Sequence, residues 1–144
     1  MFGETRGRLA LVREMKMEMT CEKIAGTEIL GAKVTGEFNL KEAQNSFLDL
    51  LDSVKREKAT KVLVDGTAVT GELETFQRFL YAEFVAMAAS DFKQHPGVRN
   101  PKFAYALKPP VLDRERFGET VAVNRGMNMK AFENVQEAMD WLAA

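Results

Sequence analysis

The run Val62-Leu63-Val64, inside Lys61-Val-Leu-Val-Asp65, constrains this chain more than any other feature. Its apolar residues are consecutive, whereas a strand with one wet face alternates apolar and polar positions. A short unbroken run between two helical patterns belongs to a central strand covered on both faces. Such strands pair in parallel, and parallel pairing needs long crossovers, nearly always right-handed.

The flanking sequence supplies those crossovers. Met15, Met17 and Met19 alternate with Lys16, Glu18 and Thr20, and Leu30, Ala32 and Val34 alternate with Gly31, Lys33 and Thr35. Ala25-Gly26 between them predicts a β-hairpin. Asn39 opens a helix, with Glu42 at its third position, a capping box in which Asn takes the Ser/Thr place. Leu40, Ala43, Phe47, Leu50, Leu51 and Val54 follow at helical spacing to about Lys58. After Asp65-Gly66-Thr67, Thr70 is expected to cap a second helix, with Glu72 and Glu74 in its first turn where the dipole favours anions. Phe76, Phe79, Leu80, Phe84, Met87 and Ala88 form its apolar stripe, and Pro96-Gly97 closes the loop beyond it.

Phe103–Leu107 reads as another buried strand. Asp113 is expected to cap a helix through ERFGETVAVNR, with Gly126 in a left-handed position at its end. Met127–Phe132 is short and strand-like, and Asn134, with Glu137 three residues later, opens a last helix carrying Val135, Met139 and Leu142. The fold class is α/β: a mostly parallel sheet of about five strands, an antiparallel N-terminal hairpin strand at one edge, and four helices. The 144 residues fit a single domain, with residues 1–13 a loosely ordered arm.

Composition narrows the function classes. Twenty Lys and Arg against 21 Asp and Glu give a net charge of −1, which argues against an electrostatic nucleic-acid binder. One cysteine, Cys21, rules out an internal disulfide framework and suits a reducing, cytoplasmic compartment. Cys21 lies on an early strand with no cation nearby in sequence, so it reads as an inert thiol. No apolar run reaches the length of a membrane span, and the N-terminus lacks a signal-peptide core. Metal sites want clustered Cys and His, but Cys21 and His95 stand far apart, so neither a metal nor another cofactor is expected. His95 lies in Gln-His-Pro-Gly, a loop, which speaks against a triad built on the chain's one histidine. Binding therefore outweighs catalysis.

The C-terminal stretch ERFGETVAVNRGMNMKAFENVQEAMDWLA resembles the end of the bacterial SpoIIAA-like proteins, of the STAS-like group. These are related to anti-sigma factor antagonists and often grouped with the lipid-binding CRAL-TRIO fold. Arg116-Phe117, Glu119-Thr120-Val121-Ala122, Asn124-Arg125-Gly126, Phe132, Glu137-Ala138 and Trp141-Leu142 carry the resemblance, with KVLVDGTAVTG as the central strand and loop. It covers about Met15 to Leu142 and rests on order and spacing. It implies a STAS-like fold and a non-enzymatic regulatory role. Anti-sigma factor antagonists switch partners when a Ser after the central strand, normally in Asp-Ser, is phosphorylated. Here that stretch reads Thr67-Ala-Val-Thr70-Gly-Glu-Leu-Glu-Thr75, without serine, which leaves Thr70 and Thr75 as candidate phosphoacceptors. Thr70 reads first as a plain helix cap and only second as a phosphoacceptor.

Ligands of open parallel sheets gather at the carboxyl ends of the strands. The stretches Gly36–Asn39, Asp65–Thr70 and Lys108–Asp113 are expected to meet there as loops beside helix N-termini, a setting that suits an anion. Asp65, Thr67, Thr70 and Lys108 are the candidate contacts, with turn chemistry as the plain alternative. Arg114, Arg116, Glu119 and Arg125 form a dense charged segment that could receive an anionic ligand or an acidic partner, or simply be a solvated face. Phe76, Phe79, Leu80, Phe84 and Met87 are candidate cavity lining, dimer cover or plain core. Two functions stand: a module for an unidentified protein partner, a homodimer included, or a binder of a small apolar, lipid-like or anionic ligand.

Overall fold

The computed structural model describes residues 16–144; the expected arm and Met15 lie outside that range. Its elements are β1 (Glu18–Lys23), β2 (Ile29–Glu37), α1 (Leu40–Glu57), β3 (Lys61–Thr70), α2 (Thr75–Lys93), β4 (Lys102–Leu107), α3 (Phe117–Asn124), β5 (Met129–Phe132) and α4 (Val135–Ala143). The sheet order is β1-β2-β3-β4-β5, with β1 antiparallel to β2 and every other pair parallel. The mostly parallel sheet with its hairpin edge is therefore as expected.

Each crossover advances one strand in one direction, and crossovers of one hand then place successive helices on one face. There, Phe47, Leu50 and Val54 of α1, Val85 and Ala89 of α2 and Val121 of α3 pack on Leu30, Val62, Val64 and Phe103. The other face belongs to α4, whose Ala138 and Leu142 cover Leu63, Ala104, Ala106 and Phe132. Val62, Leu63 and Val64 thus point alternately into two cores, which is why polar residues are missing from the run.

The N-caps expected for α1 and α4 form, but the box at Asn39 is only half made, since Glu42 Oε2 accepts from Met17 N–H at 3.2 Å and not from Asn39 N–H. Asn39 Oδ1 accepts from Glu42 N–H at 3.0 Å, and Asn134 Oδ1 from Glu137 N–H at 2.8 Å. Two others are corrected. Asp65–Thr70 is not a loop; it continues β3, with Ala68, Val69 and Thr70 paired to Thr35, Gly36 and Glu37 after a register shift. Ladder hydrogen bonds to β2 override the turn propensity of Asp65-Gly66-Thr67. Thr70 consequently caps no helix: α2 starts at Thr75 behind Glu74, whose N–H donates to Gln77 Oε1 at 3.1 Å. The third helix is shorter than expected, because Arg116 sits in the left-handed region at φ 53° immediately before it. Asp113 still serves its N-terminus, both carboxylate oxygens accepting from Phe117 N–H at 3.0 and 3.3 Å.

Gly36, at φ 102°, is irreplaceable on two counts: its backbone is left-handed, and a Cβ there would sit 2.5 Å from the Lys16 carbonyl oxygen.

Candidate functional site

The site lies on the helical face, between α2, α3 and the carboxyl ends of β4 and β5. Helical spacing puts Arg78, Tyr81, Ala82 and Val85 on one side of α2, facing the sheet. Tyr105 and Leu107 rise from β4, Met129 and Ala131 from β5, and Gly118 and Ala122 from α3. Together with Val111 and Leu112 they line a mainly apolar, half-open pocket of about 70 Å³.

Arg78 holds the loop after β4 against α2. Its guanidinium donates to the Leu73 carbonyl at 2.7 Å, to the Val111 carbonyl at 3.4 Å and to the Pro110 carbonyl. Its Nε–H is buried without a protein acceptor among the described residues. The ion pairs found among those residues are Arg116–Glu119 and Arg125–Glu83, so no described carboxylate lies within salt-bridge distance of Arg78. Across the cavity, Tyr81 and Tyr105 share a hydroxyl–hydroxyl hydrogen bond of 3.1 Å. Burial pushes the Tyr81 hydroxyl up to about 12, against the opposing pull of its hydrogen bond to Tyr105. Burial, then the charge and hydrogen bond of Tyr81, raises Tyr105 well above the ordinary tyrosine value. Both stay neutral donors across the physiological range.

The carboxylates that border this space are engaged by backbone. Asp113 caps α3, as above. Glu119 Oε2 accepts from Ala131 N–H at 3.1 Å, and Arg116 Nη1 donates to the Ala131 carbonyl. β5 is an edge strand. Arg116 and Glu119, 3.7 Å apart, act on its outward backbone groups as a neighbouring strand would. Of the charged segment singled out in the sequence, these two line the cavity. Arg125 instead pairs with Glu83 at 3.0 Å and lies over the Phe79 ring, while Arg114 and Lys108 are exposed.

The strand candidates are also dispersed. Asp65 Oδ1 accepts from Thr67 N–H at 3.1 Å and Thr67 Oγ1 at 2.7 Å, a local turn that alternation places on the face opposite the cavity. Thr70 ends β3 and Thr75 begins α2, both exposed. The aromatic stripe does not line the cavity. Phe76 and Met87 are 65% and 60% exposed, and Phe84 with Met87 borders an open groove between α1 and α2. The reason is steric: small side chains, Ala82, Ala86 and Ala89, let α2 approach the sheet, and the aromatics take the flanks.

No family model matches the chain, and no curated protein matches it. Solved structures do. An anti-sigma factor antagonist from Mycobacterium paratuberculosis superimposes with a TM-score of 0.57 at 13% identity, covering 90% of this chain and 96% of that one. An uncharacterized protein of the DUF3478 family with a SpoIIAA-like fold, from Shewanella loihica PV-4, superimposes with a TM-score of 0.51 at 17% identity, covering 88% and 93%. Identities this low speak for architecture alone: the chain has a STAS-like, SpoIIAA-like fold.

Proposed function

We propose that this chain is a non-enzymatic regulatory module that docks a protein partner on the outer face of its helical layer. The observation that carries the reading is the groove between α1 and α2. It measures about 430 Å³, its lining is mainly apolar, and Leu48 and Met87 stand 44% and 60% exposed beside Phe84. Large apolar side chains grouped at a surface mark interaction sites more often than scattered ones do. Asp52 and Asp91 flank the groove, and among the described residues no Lys or Arg lines it. The occupant that fits is a partner segment with an apolar ridge and basic flanks.

Two further observations support the reading. The fold is shared with an anti-sigma factor antagonist, a protein named for its action on another protein. The carboxylates near the cavity are held by backbone amides, an arrangement that suits positioning more than proton transfer. Among the described residues no helix is long and apolar enough to cross a membrane. A cytoplasmic place of action is part of the proposal, as is Thr75 or Thr70 as a phosphoacceptor.

The test replaces Met87 with a photo-crosslinking phenylalanine and irradiates living cells of the source. The expected result is one discrete adduct with a second protein, lost when Leu48→Asp is added and weakened by Asp52→Lys with Asp91→Lys. An adduct with a second copy of this chain, or no adduct from a variant that melts like the parent, overturns the reading.

A further inference from the structure

We infer that residues 6–13 of this chain occupy the groove between α1 and α2, so that a partner must displace them in order to dock. This regulation rests on the docking reading above and concerns the same groove.

The groove asks for a cover of a particular kind. Among the described residues four large apolar side chains stand exposed, and two of them, Leu48 and Met87, line it. Apolar surface grouped in this way gains by being covered. Asp52 and Asp91 at its rim are exposed and take part in neither of the ion pairs found among the described residues.

The chain carries the complementary sequence shortly before Lys16. Arg6, Arg8 and Arg13 bracket Leu9, Leu11 and Val12, and no Asp or Glu interrupts residues 6–13. Three positive charges around a branched aliphatic cluster match two carboxylates around an apolar floor, in sign and in kind.

The point at which the chain meets the surface puts that segment within reach. Met17 is pinned beside the first turn of α1: its N–H donates to Glu42 Oε2 at 3.2 Å, and its sulfur accepts from Asn39 N–H at 3.2 Å. Met17 is buried and Lys16 is exposed. From Glu42, the groove residues Leu48 and Asp52 lie about 9 and 15 Å along the axis of α1, and crossing the helix adds about 10–12 Å. The span is therefore about 13–19 Å. At about 3.3–3.6 Å per residue, Leu11 reaches about 17 Å from Lys16 and Leu9 about 24 Å. A tether this short holds the segment at an effective concentration of about millimolar, so weak contacts suffice. A partner's apparent affinity then falls with the fraction of time the groove is occupied.

The experiment irradiates the purified full chain, at low concentration, with Met87 replaced by the photo-crosslinking phenylalanine. The expected product runs as a monomer, and mass spectrometry of its peptides joins position 87 to residues 6–13. Arg6→Glu with Arg8→Glu and Arg13→Glu should cut its yield roughly fivefold or more, and adding Asp52→Lys with Asp91→Lys should restore most of it. In cells of the source, the triple arginine variant, which leaves every described residue intact, should raise the partner adduct roughly threefold or more. A product that joins two copies, a within-chain product outside residues 6–13, or a yield indifferent to charge reversal would each overturn the inference. A partner adduct with no within-chain product overturns this inference alone, whereas a within-chain product with no partner adduct in any variant overturns the docking reading and supports the self-contact.

Discussion

Tyr81 and Tyr105 show how one hydrogen bond inside a small cavity sets both stability and pH response. Among the described residues each hydroxyl has the other as its partner, so Tyr105→Phe leaves the Tyr81 hydroxyl without a described one. Removing one partner costs about 1 kcal/mol, more than removing both in a matched pair. Urea denaturation should therefore show Tyr81→Phe with Tyr105→Phe costing less than the sum of the single changes. The pH dependence follows from the same burial. Unfolded tyrosine ionises near its ordinary value of 10.0, whereas Tyr81 in the fold holds its proton to about 12. The contribution is complete below the unfolded value and is lost as pH rises from there through the folded value. Denaturation midpoints should fall between about pH 10 and 12 in the parent, and less steeply in the double variant. A decline of equal slope in both would remove the tyrosines as its cause.

At the scale of elements, α3 secures the sheet edge through Arg116 and Glu119. Glu119→Ala strips the acceptor from Ala131 N–H and should cost roughly 1 kcal/mol, whereas Glu119→Gln keeps an acceptor oxygen and should cost less. Thermal denaturation separates the two, and equal losses would point to charge instead of the edge contact. Sequence pattern made some elements legible and hid others. Asn39 with Glu42, and Asn134 with Glu137, were readable because a cap is a local hydrogen bond between near neighbours. The length of β3 was not readable, because its last residues are held by β2, a long-range pairing that turn-forming residues do not announce. Arg78 went unread among the apolar residues of α2, although the sequence carries a signal for it. It stands three, four and seven residues before Tyr81, Ala82 and Val85, so an arginine lies on the helix's sheet-facing side. Arg116 and Glu119 looked like ligand contacts because nothing local shows that an edge strand will need them.

Across the whole molecule, the two faces of the sheet are unequally covered. Three helices share the large core, whereas among the described residues α4 alone seals the small one with Ala138 and Leu142. Leu142→Ala should cost about 2–5 kcal/mol, the usual range for a fully buried leucine. Hydrogen exchange should show α4 losing protection before α1 does, since local opening follows the thinner packing. Simultaneous loss in both would mean that the cores unfold as one unit. The strand order β1-β2-β3-β4-β5 carries one more consequence. Spatial neighbours are also sequence neighbours, so the fold can be assembled by accretion. During synthesis each emerging strand finds its mate already displayed, and no later strand must be threaded between two earlier ones. Loop closures stay short, which favours quick folding for a parallel sheet. The exposed growing edge then passes from β3 to β4 to β5, until Arg116 and Glu119 occupy it.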